Sequence, residues 1–378
     1  MTDIEAVAIG SGIKLTCSRD ELSQKLAVVA RAVSARTTVL VLGGILLRAE
    51  NGELQLAATD MELSLRTSLE AQVDAEGAVV VPGKMLVDLI RLLPDEDVQI
   101  EHRAEEGVVR VDSGSYSSRL HTYNVEDFPR LPDVESIGTF NVDREALLDT
   151  VGRVSRSASR DESRPVLTGI LARFEPGKLV MAATDSYRLS VKETPMEGDA
   201  PELEAIIPAR ALTEVTRIAA GAASLELGVH ENQVVFVADG VTLTTRRIEG
   251  QFPNYRQLIP EAFEHTVTLP RAEAIEVVRR VGVMAQRNSP LRLRFAEGEL
   301  TVSAQTQDVG EAHESMPAPF TGEPLEIGFN AEYLRDGFES VGGEELVVKL
   351  ISPLRPAVLQ GEHEDFTYLV MPIRLPTT

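Results

Sequence analysis

The residues best placed to do chemistry are two aspartates, Asp60 and Asp185. Each ends an Ala-Ala-Thr-Asp run, and the two runs lie 125 positions apart. Two carboxylates in matching places would suit general acid–base work, with one protonated and the other ionised. Their context reads differently. Each Asp follows a strand-like run, where a short acidic side chain turns the chain by accepting backbone N–H groups. A duplicated domain duplicates its turns. Nothing else supports an active site. There is no Walker loop, nucleophile elbow, His-Glu-x-x-His or clustered Cys/His. Gly43-Gly44 reads as strand glycine and not as a phosphate loop. Cys17, in an apolar strand, reads as a small hydrophobe. The six histidines have no ligand-like spacing, so no structural zinc is expected. No catalytic residue, metal or cofactor is expected.

The elements around the two aspartates are themselves repeated. Between Val41 and Asp60, 13 of 20 positions are identical to Val166 through Asp185. Chance would give roughly one or two. Matches include Val41/Val166, Leu42/Leu167, Gly44/Gly169 and Gly52/Gly177. The spacing predicts a helix through Leu22, Leu26, Val29 and Val33, then strands over Val39–Leu47 and Leu54–Ala58, then a helix over Lys84–Leu93. Further strands end at Phe128-Pro129. The second unit runs in the same order. Leu147, Val151, Val154 and Ala158 form one helical stripe, with Arg153, Arg156 and Arg160 on another. Strands follow over Val166–Phe174 and Lys178–Ala182, and Phe252-Pro253 closes the unit. A third, more diverged unit matches the second at an offset of 121 through Arg294-Phe295, Gly298, Leu300 and Ala304. Its helices are expected over Arg271–Gln286 and Ala331–Ser340. Each unit holds two helices and about eight short strands and is long enough for its own core. The expected division is an arm over 1–12 and domains over 13–135, 136–262 and 263–378.

Composition fits this organisation. A chain of 378 residues exceeds one ordinary core. No apolar stretch is long enough to span a membrane, and Met1 to Gly12 lacks a basic n-region. One cysteine fits a reducing cytoplasm. The net charge of −22 argues against nucleic acid, a polyanion, until its distribution is counted. The six helical segments with their flanks hold 17 Lys+Arg and 12 Asp+Glu, leaving 20 basic and 47 acidic residues elsewhere. Helices that line a basic surface, with acidic sheets outside, could track a duplex backbone without reading sequence. No aromatic residues interleave with the basic ones, so stacking on single strands is not indicated.

Three diverged repeats, the paired Ala-Thr-Asp runs, Phe252-Pro253-Asn254-Tyr255 and the terminal Tyr368-Leu369-Val370-Met371-Pro372-Ile373-Arg374-Leu375 resemble the bacterial sliding-clamp family, the beta subunits of DNA polymerase III. The resemblance covers Ile13 to Leu375. It implies an α+β DNA clamp fold, with three similar domains of two helices packed on antiparallel sheets. Two subunits would close head to tail into a six-domain ring around double-stranded DNA. Such a protein catalyses nothing. Its partners would be the DNA polymerase III catalytic subunit, a clamp loader, other proteins bearing clamp-binding motifs, and a second copy of itself, with no membrane.

Carried over residue by residue, a partner-peptide pocket would use Leu167, Thr184, Ser186, Tyr187, Arg188, Leu189, Pro253, Leu258, Leu354 and Pro356. The terminal Val370, Met371, Pro372, Ile373, Arg374 and Leu375 would complete it. DNA contact would involve Arg36, Arg153, Arg156, Arg160, Arg164 and Arg287. The ring interface would pair Ser117–Thr122, with Leu120, against Val281, Val283 and Met284. Ser186-Tyr187 stands where the family often has Gly-His, and Gln257 where an Arg is common, so peptide preference is expected to differ. A replicative clamp, a clamp paralogue, an acidic scaffold binding only proteins and an enzyme are the readings to separate.

Overall fold

The computed structural model describes residues 12–34, 38–131, 138–196, 203–230, 232–285, 289–307, 309–362 and 365–375. The first domain contains β1 (Lys14–Ser18), α1 (Arg19–Val29), β2 (Gly44–Glu50), β3 (Glu53–Thr59), β4 (Leu63–Glu70), β5 (Gln72–Ala75), β6 (Gly77–Pro82), α2 (Gly83–Arg91), β7 (Asp97–Arg103), β8 (Val108–Ser113) and β9 (Tyr116–His121). The second contains β10 (Thr139–Asn141), α3 (Arg144–Val154), α4 (Pro165–Thr168), β11 (Gly169–Glu175), β12 (Lys178–Thr184), β13 (Arg188–Pro195), β14 (Leu203–Pro208), α5 (Ala209–Ile218), β15 (Glu226–His230), β16 (Gln233–Ala238) and β17 (Val241–Arg246). The third contains β18 (His265–Pro270), α6 (Arg271–Gly282), β19 (Leu291–Ala296), β20 (Glu299–Thr306), β21 (Gly310–Pro317), β22 (Leu325–Phe329), α7 (Ala331–Ser340), β23 (Glu345–Leu350), β24 (Ala357–Gln360) and β25 (Phe366–Val370).

Every strand pairing among the described residues is antiparallel, and two sheets run across domain borders. Residues 1–142 and 217–246 form one compact unit. In it, β17 pairs with β4, giving the order β10-β15-β16-β17-β4-β3-β2-β6. Its second sheet is β5-β1-β7-β8-β9. Residues 143–216 and 247–378 form the other unit. There β13 pairs with β25, giving β14-β11-β12-β13-β25-β24-β23-β18, beside a sheet β21-β20-β19-β22. Helices pack on these sheets through the stripes their sequences carry. Leu22, Leu26 and Val29 of α1 are buried, as are Leu147, Val151 and Val154 of α3.

Two strand starts differ from expectation. Leu40–Gly43 is a 3-10 turn, and α4 is one helical turn, so β2 and β11 begin at Gly44 and Gly169. Close packing accounts for the repeated glycine. A Cβ on Gly44 would lie 2.5 Å from Val80 Cγ1, and one on Gly169 would lie 2.5 Å from Ile206 Cγ2. In each copy a β-branched side chain of the adjoining strand takes the space.

Helix ends also fall short. α3 stops at Val154, so Arg156 lies on a 3-10 turn and Arg160 in the loop beyond, not on one continuous helical face. Serines 155, 157 and 159 compete with helix continuation by side-chain bonding. Ser157 Oγ lies 2.6 Å from Ser190 Oγ in a buried contact, and Ser159 Oγ accepts the N–H of Asp161.

Two glycine substitutions should separate packing from backbone entropy. Gly169→Ala is expected to lower the urea midpoint, through overpacking worth roughly 1–3 kcal/mol. Gly152→Ala, in α3 with nothing within 4 Å of the added carbon, is expected to raise it by about 0.5–1 kcal/mol. Circular dichroism in urea checks both.

Candidate functional site

The turn after β12 is built from side chains. Asp185 Oδ1 accepts the N–H of Tyr187 at 2.9 Å and of Arg188 at 3.0 Å. Thr184 Oγ1 donates to the carbonyl of Arg188 at 2.7 Å and accepts the N–H of Ser186 at 3.2 Å. Ser186 is thereby held at φ 81°, a left-handed conformation that glycine adopts freely. The first copy matches it bond for bond. Asp60 Oδ1 accepts from Glu62 and Leu63, Thr59 Oγ1 donates to Leu63 O and accepts from Met61 N–H, and Met61 has φ 79°. Both aspartates are therefore committed to their turns and are not an acid–base pair.

The second copy differs at the residue after the turn. Arg188 replaces the aliphatic Leu63 and is buried. Its Nε donates to Asp185 Oδ2 at 3.0 Å, its NH1 reaches Asp336 Oδ2 at 2.5 Å, and its guanidinium lies 4.3 Å from the centre of the Tyr333 ring. Burial works against the charge, but Tyr368, Asp336 and Asp185 outweigh it and hold the group above its ordinary pKa. Tyr187 stands on the other side of this network, 59% exposed, with its ring stacked 6.5 Å from Tyr333. Asp336 and Tyr333 were not foreseen. They lie on α7, 148 and 146 positions beyond Arg188 and Tyr187, and no local pattern links them.

The register brings the remaining residues to the same end of the sheet. Arg188 pairs with Val370 and Val370 with Ala357. The chain leaving β25 and the loop entering β24 therefore flank the turn. Met371 N–H donates to the carbonyl of Tyr187 at 2.9 Å, and Ile373 N–H to Gly328 O at 2.7 Å. Leu354 and Pro356 lie on the loop before Ala357. Leu167 lies on α4, just before β11, whose start adjoins the end of β12. Tyr255 N–H donates to Pro253 O, and the Tyr255 side chain is buried with Leu171, Ala182, Leu189 and Leu369. That holds the 3-10 turn bearing Leu258 against this sheet. Tyr187, Leu258, Leu354, Met371 and Ile373 are all large apolar residues between 39% and 59% exposed. Thr184, Arg188, Leu189 and Val370 are buried behind them, while Ser186, Pro253 and Arg374 are exposed and Leu167, Pro356, Pro372 and Leu375 half-buried. The result is an open apolar surface on a rigid sheet end, with methionine and proline among its members. Such surfaces take short peptides.

The comparisons with known proteins agree with one another. Residues 13–132, 141–254 and 256–374 match the N-terminal, central and C-terminal domain models of the DNA polymerase III beta subunit. The chain belongs to the DNA polymerase III beta-subunit family. The beta sliding clamp of Streptomyces coelicolor is 35% identical over 379 residues, covering 96% of this chain and 100% of that one. That of Synechococcus elongatus is 36% identical over 375 residues, with the same shares. The solved C. crescentus beta sliding clamp superposes with a TM-score of 0.92 at 28% identity, covering 97% of this chain and 100% of its own. The Pseudomonas aeruginosa sliding clamp, solved bound to griselimycin, gives 0.87 at 26% identity, covering 96% and 100%. The family is the sliding-clamp processivity component of DNA polymerase III, a non-catalytic subunit.

The expected basic and interface residues are placed less simply. Arg36 and Arg287 lie outside the described residues. Arg153 pairs with Asp149 at 2.9 Å, Arg156 with Glu339 at 2.6 Å and Arg164 with Asp161 at 2.9 Å. Arg279 and Arg280 of α6 are paired as well, with Glu339 and Glu314. Exposed Arg160 has no ion pair among the described residues. The helix arginines are thus part-neutralised by acidic neighbours and do not form a bare basic face. Leu120 and Val281 are 8% and 2% exposed and face their own domain cores, so neither is a surface contact. The alternation of β9 turns Leu120 inward, and Val281 falls on the buried stripe of α6. Val283, just past that helix, is 77% exposed, and Met284 packs partly on the core. β9 itself ends its sheet with one edge unpaired among the described residues.

Cys17 behaves as a buried hydrophobe. Burial, then Glu21 and Asp97, push its thiol up to about 12. Thiolate is therefore scarce at any pH below about 12, and only thiolate attacks alkylating agents. Iodoacetamide at pH 8.5 is expected to leave the folded protein unlabelled over hours and to modify it fully in urea, as mass spectrometry would show.

Proposed function

We propose that two copies of the chain join head to tail and close a six-domain ring around duplex DNA. The ring contacts the backbone without reading sequence and tethers the replicative polymerase. Its domains divide at 13–135, 136–262 and 263–378. The observation that carries the reading is the gathering of Tyr187, Leu258, Leu354, Met371 and Ile373 at one sheet end, in a family of sliding clamps. A tether needs a site of this kind and needs no catalytic group. Holding a partner beside its template raises its effective concentration, to millimolar for a short flexible link, so weak peptide binding suffices. The pocket is the set from Leu167 to Leu189, with Pro253, Leu258, Leu354, Pro356 and Val370 to Leu375. Its occupants are peptides of the polymerase catalytic subunit, the clamp loader and other clamp-binding proteins, all in the cytoplasm.

On the DNA side, the reading relies on Arg153, Arg156, Arg160 and Arg164, with Arg36 and Arg287. The subunit contact uses the free edge of β9 against the partner's Val283 and Met284, with Leu120 and Val281 supporting from the cores behind.

The test is retention after loading by a matched loader on a nicked circle and on the same DNA linearised. Retention on circles and loss from open ends supports the ring. Equal retention on both would leave a protein-only scaffold as the reading. Reversing Arg153, Arg156 and Arg160 to Glu should shorten residence on the circle. In a separate titration, Met371→Asp should weaken a clamp-binding peptide by more than about tenfold with the dimer intact by ultracentrifugation. Unchanged affinity would remove Met371 from the pocket.

A further inference from the structure

The frame that carries Tyr187 and Met371 is built a second time, 125 positions earlier, with different side chains. In the second copy Arg188 pairs with Val370, and the next residue, Met371, donates its N–H to Tyr187 O at 2.9 Å. In the first copy Leu63 pairs with Thr245, and the next residue, Arg246, donates its N–H to Glu62 O at 3.1 Å. Glu62 therefore stands in the place of Tyr187, Arg246 in that of Met371, Met61 in that of Ser186, and Pro129 in that of Pro253. Arg130 follows Pro129 as Asn254 follows Pro253.

These residues line a small open cleft of about 80 Å³ within residues 1–142 and 217–246. The hydroxyls of Thr59, Ser64 and Thr245 are spent on the cleft's own walls. Arg130, Arg246, Gln233 and Thr244 also line it, and their side chains have no hydrogen-bond or ion-pair partner among the described residues. Glu62 is its one carboxylate, and no ion pair joins it to either arginine. Most exposed arginines discussed above are paired with acids, as expected in a chain of net charge −22. Arg130 and Arg246, like Arg160, have no acidic partner among the described residues, and these two share one cleft. Met61, 48% exposed, with Pro129 and Leu131, supplies an apolar wall beside them.

We infer that this cleft is a second docking site, which takes a linear partner peptide carrying a carboxylate next to an apolar side chain. Arg130 and Arg246 clamp the carboxylate, Gln233 and Thr244 donate to its free lone pairs or to the peptide backbone, and Met61 covers the apolar neighbour. The first site selects by apolar contact and the second by charge, on one backbone design. A partner with both elements would be held at two points, which multiplies retention without tightening either contact.

The experiment is methionine-methyl ¹³C NMR of the full chain, in which Met61 reports the second site and Met371 the first. Met61→Leu assigns its signal. The probe is N-acetyl-Leu-Asp-amide, with N-acetyl-Leu-Asn-amide as the neutral match. A saturable shift of Met61 is expected, at least tenfold weaker with the Asn probe and at least tenfold weaker in Arg130→Ala/Arg246→Ala. An unmoved Met61, or equal binding of the two probes, or unchanged binding in the double variant, overturns the proposal. A shift of Met61 with a short DNA duplex but not with the Asp probe also overturns it, and makes the cleft a phosphate site. A clamp-binding peptide added to the same sample should move Met371. That response tests the proposed function separately from the second site.

Discussion

One carboxylate oxygen sets the geometry on which the site depends. Asp185 Oδ1 takes two backbone N–H groups, and Thr184 closes the loop from the other side. The turn then has no freedom except to place Ser186 at positive φ. A non-glycine residue there costs roughly 1–2 kcal/mol. Two hydrogen bonds to a charged acceptor, each worth about 1.5–3 kcal/mol, offset it. The outcome is directional. Tyr187 is forced outward and Arg188 inward, so a single turn yields both the exposed aromatic and the buried cation.

The buried cation then connects elements distant in sequence. Arg188 reaches from the start of β13 to Asp336 on α7, and Tyr368 on β25 donates its hydroxyl to the carbonyl of Tyr333. A buried ion pair gives little net stability against a well-packed apolar set, but removing one member strands the other. Its consequence here is positional: α7 is held where Tyr333 lies beneath both Arg188 and Tyr187. The exposed apolar surface thus rests on a strand, a helix and a terminal segment whose relative places are fixed by charged groups of defined geometry.

The sequence shows repetition far better than it shows contact. The copied Val-Leu-x-Gly-Ile and Ala-Ala-Thr-Asp runs mark strand starts and strand-end turns, because each residue in them meets a local demand. Gly169 yields space to Ile206, Thr184 and Asp185 bond to their own turn, and the burial of Ile45, Leu47 and Ala49 follows strand alternation. Local demands leave local traces. Arg188–Asp336 and Arg156–Glu339 leave none, since they join residues 148 and 183 positions apart. The same gap explains the overestimated basic face. Counting charges along helices registers Arg153, Arg156, Asp149 and Glu339 alike, but not that they pair with one another. It also explains Leu120 and Val281, where a family resemblance named the segments but not which face of each is buried. Even the terminal run from Val370 to Leu375 was singled out only through resemblance. Its physical sense, a chain leaving a strand beside a turn, needs the β13–β25 register.

The pairing of the helix arginines bears on how a strongly acidic protein can sit on DNA and still move along it. An exposed ion pair is worth about 0–1 kcal/mol. In the proposed ring, exchanging Glu339 for a phosphate as the partner of Arg156 or Arg279 would therefore change the energy little at any one position. Binding built from such exchanges has no deep minimum along the duplex, since every phosphate offers the same trade. Unpaired arginines would hold phosphates more tightly and resist sliding. In the proposed ring a paired arginine is held in position by its acid until a phosphate replaces the carboxylate. Weak attraction spread over many equivalent contacts, with closure of the ring supplying retention, is the arrangement that permits tethering and free sliding together. In the proposed ring the carboxylates beside Arg153, Arg156, Arg279 and Arg280 are then part of the sliding arrangement, and the overall charge of −22 is no obstacle to it.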